Sequence, residues 1–258
     1  MKRQTPLVLM YHGIGEVPAT LDPDNLFVPS ATFAAQLDRL VERGWAVIDE
    51  AGYLAALDGA PTPPRSVLLT FDDGYVSVLE RAVPLLAARG LPALCYVSPG
   101  LDGRGPAPGL PDDFALMTTQ QMRELVAAGV SLGCHGWDHQ SMSGMDQVSL
   151  QRYTVTARDA VRAVIGTTDG PATFAYPFGH HDERAREAVA DAGFSCAFAT
   201  YTGSGRFALP RVDINATETP RSFDLKLRTI YPLARRALTS TPRVRQAVHR
   251  AVGHARRS

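Results

Sequence analysis

Strand-forming runs and helix-forming stretches alternate along the chain. Short apolar runs rich in β-formers recur at 7–11 (LVLMY), 45–49 (WAVID), 67–71 (VLLTF), 93–97 (ALCYV), 130–134 (VSLGC), 173–176 (TFAY), 194–199 (FSCAFA) and 209–214 (LPRVDI). Between them, apolar positions fall at helical spacing over 30–43, 75–89, 119–128, 147–165 and 182–192. In the first of these Ser30 can cap, and Phe33, Leu37, Leu40 and Val41 share one face. Gly90, Gly129, Gly166 and Gly193 stand where such helices would stop. The alternation predicts an α/β fold, a parallel sheet with crossover helices. Seven or eight strands of this kind either close into a barrel or stay open as a doubly wound sheet.

The polar residues at the strand ends favour the barrel. His12 comes directly after 7–11, Asp72 and Asp73 after 67–71, His135 after 130–134, Pro177 and Phe178 after 173–176, and Arg211 and Asp213 come with the last strand. In a (β/α) barrel all C-terminal strand ends open on one face, so these residues converge although none of the groups is adjacent in sequence.

Two of the groups suggest metal chemistry. Adjacent carboxylates raise one another's pKa and are costly to bury, so Asp72–Asp73 at the end of a core strand calls for a compensating cation. Asp-Asp-Gly taken alone is equally a turn. His135 and His139 are four apart, a spacing that on one helical turn points both imidazoles the same way. Lone His-x-x-x-His pairs are common in surface loops, but this one directly follows a buried strand. Two histidines, one carboxylate and an open position describe a catalytic zinc site, and the donor set also suits cobalt, nickel or iron.

Composition narrows the class. The 258 residues suffice for one large domain with a sizeable core. Cys95, Cys134 and Cys196 are odd in number and lack CxxC spacing, as expected of reduced core thiols. The apolar stretch before His12 is too short for a signal-peptide core, and no run approaches the roughly 18 apolar residues of a membrane span, so a cytoplasmic location is expected. The net charge of zero hides an asymmetry: 221–258 holds ten Lys/Arg and only Asp224 as an acid, for +9, which leaves −9 on 1–220. The expected organisation is a catalytic barrel over 1–220 and a basic, partly amphipathic tail over 221–258. In the tail, Thr241–Pro242 opens a segment with Val244, Ala247, Val248, Ala251 and Val252 at helical spacing. Such a segment can lie on an anionic membrane surface, peripheral to the inner face, or pack on the acidic barrel. It lacks interleaved aromatics, so no nucleic-acid partner is expected.

TFDDGY, the His-x-x-x-His after a strand, and FAYPFG together resemble the polysaccharide deacetylase family, carbohydrate esterase family four, over roughly residues 5–215. The opening YHGI and the later LPR resemble its permuted branch, which acts on poly-N-acetylglucosamine and related exopolysaccharides. The resemblance implies a distorted (β/α) barrel and metal-dependent removal of N-acetyl groups from a glycan or glycolipid precursor. It implies one divalent ion, zinc first, on Asp73, His135 and His139, with Asp72 as general base and His12 as general acid. The oxyanion would be held by the metal and a backbone N–H near Phe178, with Tyr176, Pro177, Phe178 and Trp137 around the substrate. Trp137 is equally readable as a partly buried loop residue, and Tyr176 and Phe178 as core. Many family members carry an arginine where this chain has Ala175. Arg211 is then either the charge that pairs with the base or part of a structural salt bridge, with Asp213 reaching the site through it. The Pro/Gly-rich stretch 98–117 is expected to border the groove. Two further readings stand beside this one: hydrolysis of small non-sugar amides on the same fold, and a degenerate carbohydrate-binding protein.

Overall fold

The computed structural model describes residues 5–201, 203–228 and 231. Its single sheet contains β1 (Leu7–Tyr11), β2 (Ala46–Val47), β3 (Ser66–Phe71), β4 (Leu94–Val97), β5 (Ser131–Cys134), β6 (Thr173–Ala175), β7 (Cys196–Phe198) and β8 (Val212–Asp213). All pairings between them are parallel, in the order β7-β6-β5-β4-β3-β1-β8, with β2 beside the start of β3. The segment 209–213 joins the two edges. Leu209 bridges Phe198, its N–H donating to Ala197 O at 2.8 Å, while Val212 and Asp213 pair with Leu9 and Met10 of β1. The sheet is thereby curled into the distorted barrel expected from the sequence.

Strand alternation sorts the core. Leu7, Leu9 and Tyr11, with Val67, Leu69 and Phe71, pack against Phe33, Leu37 and Leu40 of α1 (Ser30–Glu42). The intervening Val8 and Leu68 join Leu94, Tyr96, Ala175 and Phe198 in a separate cluster on the other face. Gly133 of β5 leaves room for Tyr96 there: a Cβ at 133 would lie 2.3 Å from the Tyr96 ring. All three cysteines are buried and free, and burial pushes the Cys134 and Cys196 thiols up to about 12.

The remaining helices are α2 (Glu50–Leu57), α3 (Val83–Ala87), α4 (Thr119–Ala127), α5 (Gln147–Gln151), α6 (Ala157–Ile165), α7 (Glu183–Asp191) and α8 (Pro220–Lys226). Several depart from the sequence pattern. The strand expected over 45–49 shrinks to two residues because Asp49 accepts from Gly52 N–H and starts α2, a helix the pattern did not reveal. The helices expected at 75–89 and 147–165 each contain a π turn, at Val78–Ala82 and Arg152–Thr156. Helix α8 crosses the expected boundary at 220: Phe223 is buried in the main core, and Lys226 donates to Asp213 O at 2.7 Å. The amphipathic segment from Thr241 lies outside the described residues. Among those described, no helix is long and apolar enough to cross a membrane.

Candidate active site

The site begins where the ladders run one residue past their strands. Asp72 N–H donates to Tyr11 O and His135 N–H to Val97 O, each at 2.9 Å. The chain then turns sharply at Asp73 and Gly74, with φ of 72° and 78°. Asp-Asp-Gly is therefore a turn that also ends a core strand.

Asp73, His135 and His139 each present a ligand atom within 4.8 Å of the others. The Nε2 atoms of His139 and His135 lie 3.1 and 3.5 Å from Asp73 Oδ1. The histidines do not share a helical turn, as their spacing suggested. They converge through a bend in which His139 adopts φ of 56°, and their ring centroids lie 5.0 Å apart. His135 Nδ1 is 2.7 Å from Ala175 O; a carbonyl only accepts, so Nδ1 carries the proton and Nε2 offers a lone pair.

These residues fit a divalent metal. Asp73 Oδ1 is buried without a hydrogen bond, facing an imidazole lone pair, which is unfavourable unless a cation lies between them. Two imidazole nitrogens and a carboxylate are a suitable donor set.

Asp72 faces a different partner. Arg211, 1 % exposed, donates from both terminal nitrogens to the two Asp72 oxygens at 2.7 Å each, and its guanidinium lies 5.5 Å over Tyr96. Against the cost of burial, the Arg211 charge keeps the Asp72 carboxyl below its ordinary value. The partner of Arg211 is thus Asp72, the candidate base, in a buried ion pair. Ala175 contributes its carbonyl to His135, a role that leaves no mark on side-chain patterns. His12 is half-buried, and its Nδ1 has no hydrogen bond.

Of the other expected site residues, Phe178 lies beside His139 and the rest have other partners. Tyr176 is fully buried among Phe174 and His181 and donates to Phe207 O at 3.0 Å, so its side chain belongs to the core. Trp137 is half-buried with the Arg152 guanidinium 5.1 Å over its ring, which favours its structural reading. Asp213 engages Asn215 at 3.1 Å and Lys226 at 3.7 Å in place of a route through Arg211. Pro177 is buried, whereas Phe178 is 59 % exposed, at φ of 57°, with its ring 4.6 Å from His139.

A groove of about 530 Å³ starts at Asp73 and His139 and passes Tyr75, Leu101, Arg104 and Leu110, so part of 98–117 does form its wall. The antiparallel bridge Tyr75–Leu116 ties that stretch to the Asp-Asp-Gly turn. Tyr75 closes the TFDDGY motif, but no role is expected of it from the sequence. Burial and then the Asp73 charge raise its phenol.

The profile of the family described as Polysaccharide deacetylase matches residues 59–197. YxkH of Bacillus subtilis (strain 168), which bears a polysaccharide deacetylase name, is 26% identical over 215 residues, covering 81% of this chain and 71% of its own. Among solved structures, the Streptococcus pyogenes deacetylase PplD in complex with acetate aligns with a TM-score of 0.76 at 22% identity, over 86% of this chain and 97% of its own. IcaB from Ammonifex degensii aligns at 0.71 and 24% identity, over 87% and 96%. At these identities the structural likenesses speak for the fold alone. The family match covers more than half of the 258 residues, and this chain belongs to the polysaccharide deacetylase family.

Proposed function

We propose that the protein removes N-acetyl groups from N-acetylhexosamine units of a polysaccharide, oligosaccharide or lipid-linked glycan precursor, using one divalent metal ion on Asp73, His135 and His139. Family membership supports carbohydrate deacetylation as the reaction class. The observation that carries the finer reading is the buried pair of unlike carboxylates: Asp73 Oδ1 without a hydrogen bond between two histidines, and Asp72 clamped by Arg211.

A divalent ion held there would polarise the amide carbonyl and lower the pKa of water beside it towards about 7. The remaining chemistry falls to the chain. Asp72 accepts the proton of the attacking water; Arg211 keeps it ionised and oriented, and each Asp72 oxygen retains a second lone pair. An amine leaves poorly unless protonated, so a proton must reach the amide nitrogen as the C–N bond breaks. His12, at the end of β1 and close enough for its charge to act on Asp72 and Asp73, is assigned that delivery. Positioned proton transfer of this kind is typically worth about 10²–10⁴-fold. A backbone N–H near Phe178 is assigned to the developing oxyanion.

Metal analysis after dialysis tests the ligand set. Wild-type protein loaded with zinc is expected to retain about one equivalent, and His135→Ala to lose it. Full retention by the variant would mean that the ligands lie elsewhere.

A further inference from the structure

Two consecutive residues of the π turn 152–156 grip the bend that carries the candidate ligand His139, and we infer that Arg152 and Tyr153 are positioning residues for that ligand. The inference rests on the reading of Asp73, His135 and His139 as metal ligands.

A non-glycine residue at φ of 56° is strained and persists only where its surroundings over-determine it. Around His139 they do. The Tyr153 hydroxyl accepts from Gln140 N–H at 3.1 Å and donates to Asp138 Oδ1, so one oxygen bridges both neighbours of His139. The Tyr153 ring is buried against Gly136, where a Cβ would fall 2.7 Å from a ring carbon; the close approach requires glycine there. Arg152 covers Trp137, whose carbonyl accepts from Gly100 N–H at 2.7 Å. Positions 136, 137, 138 and 140 are thus each held, and the two histidine rings are left to face Asp73. π turns inside α-helices occur frequently at functional sites, and here the widened turn is the one in contact with the bend.

Neither residue touches the candidate reacting atoms, so their effect should reach the metal through His139. Tyr153→Phe keeps the ring and removes only the bridge. In the full-length protein, loss of such an outer-shell partner is expected to lower metal affinity about 10–100-fold, read by competition with a chromophoric chelator. It should also alter the visible spectrum of the cobalt-loaded protein, while thermal unfolding of the metal-free protein stays near wild type. Tyr53→Phe, at a buried tyrosine of α2 packed on Phe198, should leave affinity and spectrum unchanged. If Tyr153→Phe does not fold, Asp138→Ala removes the other end of the bridge and is read the same way. A folded variant with wild-type affinity and spectrum overturns the inference, as does an equal loss in Tyr53→Phe. Wild-type protein that binds no metal overturns the ligand reading itself, which separates that failure from this one.

Discussion

Asp72 and Asp73 are adjacent carboxylates with different partners, and the difference supports the separate roles proposed for them. Asp72 is locked into a two-pronged ion pair with Arg211, whereas Asp73 turns out of the strand towards the histidines. That the pair needed a cation was legible in the sequence. That an arginine would take one of the two carboxylates was not, because Arg211 lies 139 positions from Asp72. The pairing has a consequence for stability. Removing one partner of a buried ion pair costs about 3–5 kcal/mol, so Asp72→Ala should lose roughly that at neutral pH in urea unfolding. The Asp72 carboxyl is held below its ordinary value, so its stabilisation is complete above the unfolded-state pKa near 3.9. It fades as pH falls through the lower folded value. The gap between wild type and Asp72→Ala should therefore be flat at neutral pH and close in acid; a gap that widens on acidification would contradict the pairing.

At the scale of elements, the long apolar strands were readable because burial on both faces writes continuous hydrophobic runs. Two-residue strands such as β2 and β8 leave too little pattern to bound, and α2 buries only Tyr53 of its eight residues. The π turns were invisible because helical spacing survives the insertion of a single wide turn. The His-x-x-x-His spacing suggested a helical turn, whereas a strained bend, not a helix, brings the two rings together. Helix α8 crosses the boundary expected at 220. A change in charge at 221 marked a boundary, but Thr219 caps α8 through Ser222 N–H, and the helix returns Phe223 to the core. A truncation ending at 220 should accordingly be destabilised, whereas one ending at 231 keeps α8. The expected binding of the basic tail to anionic vesicles is thus best tested by comparing full-length protein with the 231 truncation in flotation at low salt. Equal flotation of the two would remove the tail from that role.

Across the whole molecule, the curled parallel sheet makes the site possible. It gathers side chains from the ends of β1, β3 and β5, with Arg211 from the closing segment, into one partly water-excluded cluster at the head of a groove. The convergence was foreseeable from the polar residues after each strand, because parallel strands all end on the same face. The groove's lining and Tyr75's place in it depend on the fold of 98–117, which its proline- and glycine-rich composition does not specify. The central claim, metal-dependent N-deacetylation of a glycan, is tested most directly by measuring acetate released from N-acetylglucosamine oligosaccharides by one protein sample in three states: as loaded, stripped with chelator, and reloaded with zinc or cobalt. Acetate release should disappear on stripping and return on reloading, and Asp72→Asn should stay near background although it binds the metal. Undiminished release by the stripped protein, or no release from any N-acetylated glycan by the fully loaded one, would contradict the account.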